Sequence, residues 1–267
     1  MIRQPAVANQ FYDGSPTRLH YELGKLIGST KEARSAKAIV APHAGYMYSG
    51  AVAGLAYAQV EVPETVVIFG PSHTGVGSPA AVMAKGAWSM PMGTVTISED
   101  FAAMIVESSD YLEDDASAHT YEHSLEVQIP FLQYRQPNLS IVPICLKNLP
   151  FPVCKEIGSA IAGAVKQAGK PVLLVASTDM THYESQEQAE AKDHLAIDKI
   201  LALDPDGLLE TVRGHNISMC GVIPTTVILV ASLALGASSA KLIRYATSGD
   251  VTGDYVQVVG YASFIIK

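Results

Sequence analysis

Four segments of this 267-residue chain carry side chains able to hold a metal ion or move a proton. His43 follows the apolar run 39–41 and Pro42, and His73 follows the run 65–69 in Gly70-Pro71-Ser72-His73. Asp179 and His182 sit in the polar segment 177–183 after the run 171–176, and Cys220 lies in the loop 216–221, just ahead of the apolar stretch that begins at Val222. Neutral imidazoles and a deprotonated thiol are the ligands that Zn, Fe or Cu takes, and two imidazoles with one sulfur leave a coordination position open. An imidazole also exchanges protons near neutral pH, which suits His182 to acid–base work. A helix start beside Cys220 is expected to lower its thiol pKa.

Such residues meet only if strands deliver them to one edge. Short apolar β-prone runs that end in Pro, Gly and polar residues are the pattern of an α/β sheet, whose strand-end loops converge on a cleft. Ser15 and Pro16 open a helix reaching about Ile27, and residues 51–60 read as a second, so strand, loop and helix alternate. Residues 74–97 read as a hairpin-like excursion with β pieces at 81–83 and 94–97, after which Ser98 caps a helix. A helix over 121–130 would set Glu122, His123 and Glu126 on one side, with Pro130 kinking or ending it. Further strands are expected at 139–146, 241–247 and 255–266, and helices at 152–168, 186–203, 206–213 and 222–236.

Composition narrows the function classes. At 48% hydrophobic and 16% charged the chain is a compact globule, read as one domain spanning residues 1–267. A formal charge of −8, from 18 basic and 26 acidic side chains without a basic cluster, argues against nucleic acid and anionic membrane as partners. The N-terminus lacks the apolar core of a secretory signal, and the longest apolar stretch is shorter than the ~20 residues a bilayer needs. Three cysteines without disulfide spacing fit a reducing cytoplasm, with Cys145 and Cys154 assigned to packing.

Each residue also has a structural reading. A strand-end histidine is as readily a capped side chain, and a free cysteine taken alone is a small buried hydrophobe. Asp179 with His182 could form a turn and a surface imidazole, and the 122–126 acids and histidine a solvated helix face. His119, His194 and His215 carry no distinguishing surroundings, and His20 reads as exposed on its helix.

Five ordered motifs, APHAGYMYSG, FGPSHTG, YEHSLEVQIPF, VASTDMTHY and SMCGVIP, together with the early AVANQFY, resemble those of the Memo family, itself similar in fold to the class III extradiol ring-cleaving dioxygenases. The resemblance implies an α/β domain with a central mixed sheet flanked by helices and a metal cleft. It implies metal ligands at His43, His73 and Cys220, with Asp179 and His182 beside them as the proton-handling pair. Glu122, His123 and Glu126 would orient ligand or substrate from behind. A cysteine stands where the dioxygenases carry a carboxylate, which widens the metals from Fe to Cu and Zn. The expected activity is that of a metal-dependent, dioxygenase-like oxidoreductase on a small-molecule substrate. The alternatives are a metal-independent adaptor for phosphorylated peptides and a Zn-dependent hydrolase. AMMECR1-like and radical-SAM proteins are the macromolecular partners the resemblance implies.

Overall fold

Four apolar runs of the chain lie side by side as the parallel centre of a mixed sheet in the computed structural model, which describes residues 1–30 and 33–267. In chain order, β1 (Ile2–Arg3) and α1 (Pro16–Ile27) lead to β2 (Ala38–Ala41), a π-helical turn (Tyr46–Gly50) and α2 (Ala51–Ala58). After β3 (Thr65–Pro71) come three short strands, β4 (Ala80–Val82), β5 (Ala87–Trp88) and β6 (Val95–Ile97), and then α3 (Glu99–Glu107). β7 (Glu113–Asp114) and two 3-10 turns, Ala116–His119 and Glu126–Gln128, precede α4 (Ile129–Arg135) and β8 (Ser140–Leu146). The remainder is α5 (Phe151–Ala168), β9 (Val172–Ser177), β10 (His182–Glu184), α6 (Gln186–Leu201), α7 (Pro205–Gly214), α8 (Val222–Ala234), β11 (Ala240–Thr247), α9 (Gly249–Thr252) and β12 (Val258–Ile266).

Among the described residues twelve strands form one sheet with the path β1-β5-β6-β8-β3-β9-β2-β12-β10. β8, β3, β9 and β2 are mutually parallel, while β12 runs antiparallel to β2, to β10 and to β11, which flanks it. The sequence expectation of an α/β domain with a mixed sheet flanked by helices is what the fold displays. The central strands are buried on both faces, which is why they read as continuous Val/Ile/Leu/Ala runs instead of alternating ones. Their shared direction puts the C-terminal ends of β2, β3 and β9 at the same edge, with Ala41 opposite Ser177 and Phe69 opposite Ala176. At the flank, β11 exposes Lys241 and Arg244 and shifts register between Leu242 and Arg244.

Several local expectations are corrected. Residues 74–97 do not make an independent hairpin: β5 and β6 pair antiparallel, but β6 runs parallel to β8 and β4 antiparallel to it, so the excursion is stitched into the main sheet. Residues 121–125 form no helix. Pro130 lies in the first turn of α4, where its missing N–H would have had no partner, so it starts a helix it was expected to end. Residues 182–184, read as loop, form β10, and α9 interrupts the final pair of strands. Among the described residues no helix is long and apolar enough to cross a membrane.

α8 is buried over nearly its whole length, including Pro224 in its first turn, and packs against α5 at Gly158. A Cβ there would lie 2.7 Å from the Val227 carbonyl oxygen, whereas one at Gly163, on the exposed face of the same helix, meets nothing within 4 Å. Gly158→Ala is expected to destabilise the protein by about 1–3 kcal/mol through overpacking. Gly163→Ala should stabilise it by roughly 0.5–1 kcal/mol through helix propensity, and urea unfolding of the two variants separates the effects.

Candidate metal centre

Pro42 ends β2, and the His43 backbone N–H donates to Asp179 Oδ1 at 2.8 Å, tying the β2 loop to the β9 loop. The buried His43 ring sets Nδ1 2.9 Å from Ser177 Oγ. Ser177 has one proton, and its hydroxyl lies 2.6 Å from the Ser124 carbonyl, which can only accept it. The same oxygen accepts from Gln128 Nε2 at 2.8 Å, so its remaining lone pair accepts from His43. His43 Nδ1 therefore carries the proton, and Nε2 presents a lone pair toward Cys220 Sγ.

His73 follows β3 and is held from behind by the buried Glu122. Its Nδ1 is 2.8 Å from Glu122 Oε1 and its backbone N–H donates to Oε2 at 2.5 Å. A carboxylate takes a proton-bearing nitrogen, which again leaves Nε2 free. His123 joins these rings: its imidazole stacks on His73 at 4.4 Å between centroids, lies 5.5 Å from that of His43, and meets Phe11 edge-on at 5.0 Å. One donor atom from each of His43, His73 and His123 lies within 4.8 Å of the other two, so this group could hold a metal ion.

Cys220 Sγ is 3.3 Å from His43 Nε2 and accepts the Asp179 backbone N–H at 3.2 Å. An ion bound about 2.0 Å from nitrogen and 2.3 Å from sulfur holds those atoms about 3.5 Å apart in tetrahedral geometry, close to this spacing, but the donors grouped within 4.8 Å of one another are those of His43, His73 and His123, and Cys220 is not among them. His182, half-buried on β10, sets Nδ1 2.9 Å from the Ser218 carbonyl, and its backbone N–H donates to Ser218 Oγ at 2.7 Å. Because a carbonyl only accepts, His182 carries its proton on Nδ1 and has a basic Nε2.

Three expectations change here. His123 belongs to the imidazole cluster itself and does not stand behind it: residues 121–125 turn, so Glu122 passes behind His73 while His123 comes in front. Ser218, not Asp179, orients His182, and Asp179 instead clamps the His43 backbone. Glu126 bonds no imidazole; it pairs with Arg3 at 2.6 Å and accepts from the Ala6 and Val7 N–H groups and the Tyr12 hydroxyl. Cys145 and Cys154 are buried in the core. His119, unassigned from sequence, is buried beside Trp88 with Nε2 on the Ala81 carbonyl. His20 is exposed on α1, with its ring 4.8 Å from that of Tyr134.

The electrostatics favour the neutral form of His43 and His123. Burial, reinforced by His123, His73 and His182, holds the His43 pKa well below its usual value, and burial also lowers His123 and takes His119 to about 4. Burial alone would raise Glu122, but the His73 ring bond and charge and the N–H groups of Ser124 and His73 outweigh it and hold the carboxylate at about 2. Burial raises Asp179 to about 6 against the opposing His43 N–H bond and the His182 charge. Burial and the Asp179 carboxylate push the Cys220 thiol up, the reverse of the helix-start expectation.

A pH dependence follows. Groups whose folded pKa is depressed, here the three histidines and Glu122, stabilise the fold above their unfolded values and lose that contribution as pH falls through the folded ones. Asp179 acts in the opposite direction between its unfolded pKa near 4 and about 6. The melting temperature is therefore expected to fall from about pH 7 to about pH 4. In His119→Gln the fall should be shallower, because one group that refuses its proton is gone; scans of both proteins across that range measure the difference.

With this geometry in view, comparison with known proteins is direct. The family model described as Memo-like protein matches residues 3–265. A MEMO1 family protein of Methanopyrus kandleri is 45% identical over 283 residues, covering 100% of this chain and 99% of its own length. One from Methanothermobacter thermautotrophicus is 43% identical over 274 residues, covering 98% of this chain and 99% of its own. In fold alone, the crystal structure of an uncharacterized Escherichia coli K12 protein superposes with a TM-score of 0.51 at 13% identity, over 84% of this chain and 98% of that one. By the extent of the family match and the identity to these relatives, the chain belongs to the Memo family.

Proposed function

We propose that the protein is a metal-dependent oxidoreductase acting on a small substrate in the cleft at the strand ends. The convergence of the His43, His73 and His123 donor atoms within 4.8 Å, with Cys220 Sγ 3.3 Å from His43 Nε2, is the observation that carries this reading. His43, His73 and Cys220 are the proposed ligands, with His123 a further imidazole on the same face. An Fe or Cu ion held by such a nitrogen and sulfur set supplies electron exchange and Lewis acidity at the cleft, and Zn would supply Lewis acidity alone.

The chain's own residues do the rest. Ser177 and Glu122 hold the His43 and His73 rings with Nε2 forward, so ligand geometry is set before an ion arrives. Asp179 fixes the position of the His43 backbone, and His182 Nε2, its tautomer set by Ser218, accepts a proton from a bound substrate. The buried free thiols of Cys145 and Cys154 suit a reducing cytoplasm. Association with AMMECR1-like and radical-SAM proteins enters the proposal from the family resemblance.

Elemental analysis of untagged protein purified without added metal is expected to find about one Fe or Cu per chain. His43→Ala and His73→Ala should lose it, and retention of the ion in both would overturn the reading. Cys220→Ser set against His123→Ala identifies the third ligand, since the true ligand's variant loses metal affinity by about 10-fold or more. His182→Gln should keep its metal while oxygen uptake with catechol-type probes falls by about 100-fold or more.

A further inference from the structure

The segment that carries Glu122 and His123 has little regular structure of its own. Between the turn Ala116–His119 and the turn Glu126–Gln128, its carbonyls find partners singly: the Val127 and Gln128 N–H groups donate to those of His123 and Leu125, and the Ser177 hydroxyl to that of Ser124. A side chain from the far end of the sequence takes the Glu122 carbonyl and, at the edge of the segment, that of His119. Arg3 donates from Nε to the His119 carbonyl at 2.6 Å and from Nη2 to the Glu122 carbonyl at 2.7 Å. Its Nη1 meets Glu126 Oε2 at 2.6 Å and the Gln4 carbonyl at 3.2 Å. Arg3 as a residue is 5% exposed, and its guanidinium lies 4.0 Å from the Trp88 ring centroid, on the strand that β1 pairs with.

The planar fork thus grips the backbone on either side of residues 120–121 and at the residue whose carboxylate aims His73. A lysine ammonium could keep the ion pair with Glu126 but could not span the two carbonyls in that fixed geometry. From this juxtaposition we propose that Arg3 is a positioning residue for the metal centre, acting through the Glu122 carbonyl to set the Glu122 carboxylate behind His73 and the His123 ring in front of it. The inference rests on reading the histidine cluster as a metal centre. It adds that this centre is assembled by a contact over more than a hundred residues of chain, made by Arg3.

The test uses the full chain with Co(II) as the metal and two readouts: the metal dissociation constant from titration, and the His73 Nδ1 proton resonance of the metal-free protein. Arg3→Lys is expected to weaken Co(II) binding by about 10-fold or more and to shift or broaden the His73 resonance as its bond to Glu122 loosens. Glu126→Gln, which removes the ion pair but leaves the two carbonyl bonds, should lower the melting temperature yet leave Co(II) affinity within about threefold; that contrast separates positioning from simple stabilisation. An Arg3→Lys protein with Co(II) affinity within about threefold of the parent overturns the proposal. If the parent itself binds no Co(II), the metal reading fails, and an unmoved His73 resonance in Arg3→Lys would still overturn the positioning role by itself. Arg3→Gln, which keeps a single donor for one carbonyl, replaces Arg3→Lys if the latter does not fold, with the same expectations.

Discussion

The centre depends on what stands behind its imidazoles. A neutral histidine has one proton and two nitrogens, and nothing in the ring itself says which nitrogen will face a cleft. Here the choice is made by an oxygen with no alternative: the Ser177 hydroxyl, whose own proton goes to the Ser124 carbonyl; the Glu122 carboxylate; and the Ser218 carbonyl. Each takes the Nδ1 proton, and each ring is left with Nε2 as its reactive atom. At His43 burial then opposes a second proton, because a charged imidazole among other imidazoles and away from water is costly.

These oxygens come from three separate stretches of chain, and the sheet brings them together. Parallel strands β2, β3 and β9 deliver His43, His73 and the Asp179 loop to a common edge, while the loop before α8 brings Cys220 and Ser218 from the other side. The exception is the segment around Glu122 and His123, which belongs to no strand. An irregular buried segment must have its polar groups satisfied from elsewhere. The N-terminal residues do this through Arg3, while Glu126 returns the interaction by gathering the Ala6 and Val7 N–H groups and the Tyr12 hydroxyl. The Arg3–Glu126 pair is almost fully desolvated, so either partner left alone would be an unpaired buried charge.

The strand-end residues were legible in the sequence because their signal is local. An apolar run stopped by Pro or Gly and followed by His or Asp marks both the strand and its mouth, and the order of such runs gave the α/β class. Cys220 was legible by its place in a loop ahead of a helix, though its protonation was not: thiol pKa depends on burial and on Asp179, which lies 41 residues away in sequence. The role of His123 was hidden by periodicity. Residues 121–130 have the spacing of an amphipathic helix, but Arg3 and Ser177 compete for their backbone groups, and that long-range competition wins. Arg3 itself carried no local signal, since a lone basic residue near a terminus is ordinarily a solvated one.

The rim of the sheet has a further consequence. At one end of the path the last strand, β1, is only two residues long, and off the path beside β12, near its other end, β11 exposes Lys241 and Arg244 and breaks register beside them. A foreign strand seeking to extend either border would find too few backbone groups to pair with, or would have to desolvate two cations across a kinked ladder. Those two borders of the sheet thereby resist edge-to-edge pairing with a copy of the protein.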